Sequence, residues 1–186
     1  LMDYDNELGA EAVQANFYMY QPFLNEAVGL FVREHRPELV RYDGGVEKEF
    51  WVKFVNLPRV DRLRSLKANN IGQLSSFSGT VTRTSDVRPE LLMGCFKCGE
   101  CGTLVPNVEQ QCRYTEPSIC LNEVCGNRNK WTLEREGCKF VDWQRVRVQE
   151  NADEVPAGSL PRSMDVILRH EIVEEARAGD KAVLTG

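Results

Sequence analysis

Two closely spaced cysteine pairs constrain this 186-residue chain more than any other feature. The first pair is Cys98 and Cys101, the second is Cys120 and Cys125, and 18 residues separate the pairs. Zinc takes four ligands in a tetrahedron, and two short turns with two thiolates each supply that set. The spacing therefore predicts a structural zinc site, with residues 102–119 forming a hairpin between the pairs.

The choice of the first pair is open, because Cys95, Cys98 and Cys101 follow one another at steps of three. We prefer Cys98 and Cys101, since Gly102 follows them directly. Glycine tolerates positive φ there, which lets amides turn toward a thiolate. An iron–sulfur cluster is the alternative use of four such cysteines. Cys112 and Cys138 lie in strand-like segments and are predicted to be small buried residues.

The composition excludes several classes of function. The net charge of −5 argues against a protein that coats nucleic acid by overall charge. The longest uncharged run, residues 12–25, is too short to span a membrane. The only histidines, His35 and His170, are far from the cysteines, so the metal should be structural and not catalytic. No phosphate-binding glycine motif is present, and we predict no catalytic residue. A chain that starts at Leu1 is expected to be a fragment.

The pattern of residues changes near residue 68. Before it, apolar residues recur at helical spacing, as in residues 13–31 and again in residues 59–68, which predicts helices. After it, residues 71–97, 139–150 and 164–173 are rich in strand-forming residues and are separated by glycine and proline. Short strands of this kind favour a small closed barrel. We predict a helical subdomain over residues 1–68 and a β domain over residues 69–186.

Basic residues gather within this acidic chain. From Arg128 to Arg147 there are six basic and three acidic residues. Arg145 and Arg147 share the parity of Trp143 on a predicted strand, a combination that small barrels use to bind single strands. The competing interpretation is an ordinary solvated face with Trp143 in the core.

Several segments resemble the N-terminal region of minichromosome maintenance (MCM) proteins, the subunits of the ring-shaped replicative DNA helicase. They are residues 140–150, the stretch from Val155 to Arg162, Gly179-Asp180 before Thr185-Gly186, the strand from Ile71 to Arg83, and both cysteine pairs. Residues 108–128 are most similar to the sixth-subunit branch of the family in eukaryotes. The resemblance is specific from about residue 69 onward and weaker before it.

The resemblance implies an α+β protein of several parts. A helical bundle is followed by an oligonucleotide-binding (OB) β-barrel, and a zinc-binding β-hairpin is inserted into the barrel at about residues 95–131. Zinc would be the structural cofactor, while ATP and Mg²⁺ would bind only a motor domain outside this chain. By position, Arg83 and Arg147 would contact DNA, with Arg145 and Arg162 as weaker candidates.

The resemblance also implies a role in the nucleus. The chain would bind single- and double-stranded DNA and assemble with other MCM subunits into a hetero-hexameric ring and a head-to-head double hexamer. It would thereby serve DNA replication licensing and unwinding. The alternative is a zinc-stabilised interaction scaffold of a replication complex that does not contact DNA directly.

Overall fold

The computed structural model describes residues 12–41, 48–110 and 113–186. These residues form two helices and eight strands, joined by several single 3₁₀ turns. The helices are α1 (Val13–Ala15) and α2 (Phe17–His35); the strands are β1 (Val60–Arg62), β2 (Ser76–Thr84), β3 (Arg88–Cys98), β4 (Leu104–Glu109), β5 (Trp131–Leu133), β6 (Lys139–Gln149), β7 (Ser163–Arg169) and β8 (Lys181–Thr185).

One 19-residue helix, α2, dominates the N-terminal part. Pro22 lies inside it, so the proline neither ends this helix nor begins a second one. None of its residues is fully buried, and Phe31 is 60% exposed. In the described residues before β1, α2 is the only helix longer than one turn, so the predicted helical bundle is not confirmed.

The predicted helix over residues 59–68 is wrong. The described structure has strand β1 there, followed by two 3₁₀ turns, Leu63–Ser65 and Ala68–Asn70. Val60 lies opposite Ser76 in parallel pairing with β2. Three apolar residues at steps of three fit a 3₁₀ turn as well as an α-helix, and the hydrogen bonds to β2 decide the outcome.

The strands pair as a mixed sheet in the order β1-β2-β6-β3-β4. In addition, β5 pairs with β3, β7 with β6, and β8 with β2. The β1–β2 pair is parallel, whereas β8 on β2 and β4, β5 and β6 on β3 are antiparallel. The strand predictions for residues 71–97, 139–150 and 164–173 are thus confirmed in position, to within a few residues at each end.

The described residues divide into two compact units by packing, and the ranges below refer to those residues alone. One contains residues 1–80, 148–164 and 179–186, and its buried apolar residues include Leu63, Leu74, Phe77 and Val148. The other contains residues 81–147 and 165–178, and its core includes Val81, Phe96, Val105, Val146 and Leu168. The predicted domain boundary near residue 68 separates a helical part from a β part, whereas these two units are defined by packing. The division into units does not test that boundary, which stays a prediction.

Alternation along β6 determines which side chains reach the surface. Val146 is fully buried, while Arg145 and Arg147 on the opposite face are exposed. Phe140 departs from this pattern because it is 51% exposed, close to a register shift between β3 and β6. Among the described helices, none has the length and apolar character needed to cross a membrane.

Candidate metal centre and basic groove

Four cysteine thiols converge in the unit that contains β3. Cys98 ends β3 and Cys101 lies in the turn before β4, whereas Cys120 and Cys125 lie in the segment between β4 and β5. The four Sγ atoms all lie within 4.8 Å of one another. The Sγ atoms of Cys98 and Cys125 are 3.7 Å apart, and those of Cys101 and Cys120 are 3.5 Å apart.

These distances fit a metal ion at the centre of the thiols. Two sulfurs bound to zinc at about 2.3 Å, at a tetrahedral angle, lie about 3.8 Å apart. The donor set is therefore the right size for one tetrahedral ion. Cys95, the open alternative for the first pair, is not part of this set in the described structure.

The hydrogen bonds around the thiols hold them in place. The Asn127 side-chain amide donates to Cys98 Sγ at 3.2 Å and to the Lys130 carbonyl at 2.8 Å. The Asn122 backbone N–H donates to Cys120 Sγ at 3.4 Å. Donors of this kind orient metal-bound sulfurs and lower their negative charge. Asn127 is only 9% exposed, and the sequence pattern of the cysteines gave no indication of its role.

The turn between Cys98 and Thr103 depends on a glycine. The Gly102 N–H donates to the Cys98 carbonyl, and the Cys98 N–H donates to the Thr103 carbonyl, both at 2.9 Å. Gly102 has φ of +76°, a conformation that side chains with a Cβ disfavour. This confirms the expectation that the residue after the first pair needs positive φ.

The thiols differ in their readiness to ionise. The Cys101 backbone N–H, followed by that of Glu100 and the Asn127 amide, lowers the pKa of Cys98 to about 6 against burial. The Asn127 backbone N–H lowers the pKa of Cys125, but burial and the Cys101 and Cys98 sulfurs outweigh it and raise this pKa to about 12. Four thiolates at this spacing repel one another, so the cluster favours a cation among them.

The predicted hairpin between the two cysteine pairs is not confirmed. In the described part of residues 102–119, the only strand is β4, which pairs with β3, as in Lys97 opposite Leu104. Cys112 lies outside the described residues. Cys138 is half-buried, and its Sγ accepts the Cys95 backbone N–H at 3.3 Å. It therefore has a polar role beyond that of a small apolar residue.

A basic groove of about 280 Å³ lies in the same unit. It is lined by Arg83, Thr84, Ser85, Arg145, Arg147 and Asp165. The structure thus brings together three of the four arginines that the sequence singled out. Arg162 does not line this groove; its backbone N–H donates to the Glu150 carboxylate at 2.9 Å.

Backbone pairing between the end of β2 and β6 positions the arginines. The Ser85 N–H donates to the Arg145 carbonyl at 2.8 Å, and the Arg145 N–H donates to Ser85 Oγ at 3.0 Å. One strand step away, Thr82 Oγ1 donates to the Arg147 carbonyl at 3.0 Å. The backbone of both β6 arginines is therefore fixed, while their guanidinium groups stay on the exposed face.

The groove residues fall into those that the sequence indicated and those that it did not. Arg145 and Arg147 follow from strand alternation, but Trp143 on the same face does not line the groove. Thr84 and Ser85 directly follow Arg83 but carried no signal of their own, and Asp165 joins the arginines only through strand pairing over a long sequence distance. Three guanidinium groups around one concave surface attract anions, and a phosphate backbone matches that charge.

Comparison with known proteins identifies the family. The sequence profile of the MCM OB domain matches residues 62–186, so the chain belongs to the MCM family and contains its OB domain.

The chain is also similar to particular members of that family. It is 52% identical over 185 residues to DNA replication licensing factor MCM6 of Oryza sativa subsp. indica, and 52% identical over 181 residues to that of Arabidopsis thaliana. With Schizosaccharomyces pombe mcm6 it shares 46% identity over 193 residues. Each alignment covers 97% of this chain and 22% of the relative. The chain therefore spans about a fifth of the length of these curated relatives.

Proposed function

We propose that this chain is the N-terminal DNA-binding and assembly region of a replicative DNA helicase subunit of the MCM6 type. The observation that carries the proposal is the groove in which Arg83, Arg145 and Arg147 surround one concave surface of an MCM OB domain. The names of its relatives, DNA replication licensing factors, support a nuclear role in replication. The ATPase motor, with its ATP and Mg²⁺, belongs to the rest of such a protein.

In this proposal the groove binds the phosphates of a DNA strand. Guanidinium groups donate paired hydrogen bonds to phosphate oxygens, and these contacts do not depend on base sequence. Each isolated chain binds weakly, and affinity accumulates when several subunits of a hexameric ring share one strand. The same ring, alone or in a head-to-head double hexamer, encircles double-stranded DNA.

We propose zinc as the ion of the cysteine cluster. Four thiolates leave no open coordination position, so the ion would stabilise the segment between β3 and β5 and perform no chemistry. The four sulfurs lie within 4.8 Å of one another, which is the spacing around one ion and too close for the cysteines of an iron–sulfur cluster. A single iron ion would fit the same thiolates, and metal analysis distinguishes it from zinc. Cys98, Cys101, Cys120 and Cys125 would be the ligands.

Binding of a single-stranded oligonucleotide to the chain tests the groove. We expect the variant with Arg83→Ala and Arg147→Ala to bind more weakly, while circular dichroism and zinc content stay unchanged. Each phosphate contact on a single strand contributes about 0.7 to the salt dependence of log K. Loss of two contacts should therefore reduce that slope by about 1.4. Fluorescence anisotropy across a salt titration measures both effects.

A matched control has the same loss of charge outside the groove. Arg128→Ala with Arg135→Ala removes two exposed arginines of the same unit that do not line the groove. If both double variants weaken binding equally, overall charge and not the groove binds the oligonucleotide. If neither changes it, the oligonucleotide binds outside the groove. If the unmodified chain does not bind at all, the alternative of an interaction scaffold without direct DNA contact gains support.

A further inference from the structure

Ser85 lines the groove at the point where β2 has just ended. Its N–H donates to the Arg145 carbonyl at 2.8 Å, as in a regular pair of antiparallel strands. The return bond is irregular, because the Arg145 N–H donates to the Ser85 hydroxyl oxygen, Oγ, at 3.0 Å. A side chain thus occupies the place that a backbone carbonyl takes in a regular ladder.

A buried side chain engages the Ser85 carbonyl. The Gln144 amide donates to this carbonyl at 2.9 Å, and the Gln144 side-chain oxygen accepts the Glu174 N–H at 2.9 Å. Because successive side chains of a strand point to opposite faces, Gln144 is buried while Arg145 is exposed on the groove side. The buried amide therefore holds the carbonyl, and the hydroxyl accepts the Arg145 N–H in its place.

The hydrogen bonds of the Ser85 hydroxyl leave it no donor for DNA. A serine hydroxyl has a single hydrogen, and here it is donated to the Asp86 carbonyl at 2.9 Å. The oxygen accepts the Arg145 N–H. Phosphate oxygens of DNA only accept hydrogen bonds, so in this arrangement Ser85 offers them nothing although it lines the groove. A contribution of Ser85 to binding would therefore act through Arg145.

We propose that Ser85 is the positioning residue of Arg145, whose backbone it fixes so that the guanidinium reaches a DNA phosphate. This inference rests on the proposed function, because it requires Arg145 to contact phosphate. Without the hydroxyl, the Arg145 backbone keeps only one of its two bonds to Ser85. Ordering the longer, looser arm over the groove then costs more conformational entropy, which weakens binding although no charge is removed.

Binding of a thymine 12-mer at low salt, measured by fluorescence anisotropy, tests this role. Loss of one hydrogen bond changes an equilibrium constant by a few-fold, so we expect Ser85→Ala to weaken binding by about threefold. The salt dependence of log K should fall by up to about 0.7, the contribution of one phosphate contact on a single strand. Ser85→Thr keeps the hydroxyl and should restore most of the affinity.

Double-mutant cycles separate positioning from a direct contact with DNA. In the Arg145→Ala background, Ser85→Ala should have no further effect on affinity, because the side chain that it positions is gone. In the Arg83→Ala background it should keep its full effect. The matched control is Thr82→Val, which removes a hydroxyl that donates to the Arg147 carbonyl at 3.0 Å. This control should not couple to Arg145→Ala.

Amide hydrogen exchange, followed by NMR without DNA, reports on the hydrogen bond itself. Ser85→Ala should speed exchange of the Arg145 N–H more than that of the Arg147 N–H, while Ser85→Thr should leave both slow. If the Arg145 N–H exchanges equally slowly in Ser85→Ala, the hydroxyl does not hold this backbone and the inference is wrong.

The binding data can overturn the inference in two further ways. If Ser85→Ala weakens binding equally in the Arg83→Ala and Arg145→Ala backgrounds, Ser85 acts on DNA directly or loosens the whole groove. If Ser85→Ala binds like the unmodified chain while Arg145→Ala binds more weakly, the proposed function stands and positioning by Ser85 is wrong. If the unmodified chain shows no salt-dependent binding, the proposed function and this inference fail together.

Discussion

The buried carboxylate of Glu150 joins three segments of one unit. Its side chain is 1% exposed and accepts two hydrogen bonds from the Arg64 guanidinium, at 2.8 and 2.9 Å. It also accepts the Arg162 backbone N–H, and Arg64 donates in addition to the Leu160 carbonyl at 3.2 Å. The segment after β6, the 3₁₀ turn after β1 and the approach to β7 are thereby tied together.

Acid should therefore weaken the contribution of Glu150 to the stability of the fold. The Arg64 guanidinium, followed by the Arg162 N–H, lowers the Glu150 pKa from 4.5 to about 2. Because the folded pKa is the lower one, the stabilisation is complete above about pH 5 and is lost as the pH falls toward 2. Urea unfolding of the chain and of Glu150→Gln should differ at pH 7 and converge between pH 4.5 and pH 2.

A comparison of the two proteins cancels the effect of acid on the cysteine cluster. Both chains carry the same thiols, so only the difference in unfolding free energy reports on Glu150. If this difference in unfolding free energy stays constant from pH 7 to pH 2, the pKa of Glu150 is not lowered as proposed.

The Cys138 thiol accepts a hydrogen bond from a backbone N–H that has no carbonyl partner in the described sheet. The Cys95 N–H donates to Cys138 Sγ, and the Cys138 thiol donates to the Glu134 carbonyl at 3.1 Å. The Cys95 carbonyl in turn accepts the Glu134 N–H at 2.8 Å. The thiol thus closes the ladder where the 3₁₀ turn Arg135–Gly137 interrupts pairing with β3.

Loss of this acceptor should cost stability. An unsatisfied buried N–H costs about 1–3 kcal/mol, so we expect Cys138→Ala to lower the free energy of unfolding by about 1–2 kcal/mol. Cys138→Ser keeps an acceptor and a donor and should lose less. Urea unfolding measures the two variants, and equal losses would contradict the role of the hydrogen bonds.

At the scale of elements, the approach of β2 and β6 requires Gly79. A Cβ at this position would overlap Val148 Cγ1 and would lie 3.0 Å from the Gln149 carbonyl oxygen. The backbone oxygen belongs to a paired strand and has little freedom to move. The two strands therefore pack more closely at Gly79 than any side chain allows.

Alanine at two glycines should have opposite effects. Gly79→Ala should destabilise the chain by about 1–3 kcal/mol, because overpacking forces the strands apart. At Gly29, inside α2, an added Cβ would meet only the Phe50 ring, at 4.0 Å. Gly29→Ala should be neutral or stabilise by up to about 1 kcal/mol, since alanine favours a helix. Thermal and urea unfolding measure the stability of the two variants. If Gly79→Ala is as stable as the unmodified chain, the strands adjust freely to the added methyl group.

The sequence predicted some elements well and others poorly, for physical reasons. The exposed arginines and buried valines of β6 follow from strict alternation, which a strand with one buried face requires. The pattern in residues 59–68 was ambiguous, because only the distant strand β2 determines that β1 forms. The apolar stripe of α2 was real in sequence, yet Val28 and Phe31 are exposed in the described chain.

At the scale of the whole molecule, the candidate site was only partly predictable. The cysteine pairs are local, so their spacing alone indicated the four thiols that converge. Burial of Asn127 behind Cys98 depends on the fold of the loop around it. Asp165 lies on β7, about twenty residues after the groove arginines Arg145 and Arg147. No local sequence pattern marks such a residue as part of the groove.

Metal removal should destabilise the chain as a whole. Structural zinc contributes several kcal/mol to small domains, so a strong chelator should lower the melting temperature by at least about 10 °C. Cys98→Ser should lose the metal, whereas Cys95→Ser, three residues away and outside the cluster, should retain one zinc per chain. Native mass spectrometry measures the content, and equal loss in both variants would contradict the choice of ligands.

The pairing of β8 with β2 has a consequence for synthesis of the protein. Ser76 and Thr185 share a hydrogen bond across 109 positions of the chain. Ribosomes add about 5–20 residues per second, so one edge of β2 waits roughly 5–20 s for its partner to be made. During that interval the nascent polypeptide exposes an unpaired strand edge, and neighbouring chains can pair with it. Chaperones that hold unfolded chains would therefore be most useful to the protein during this interval.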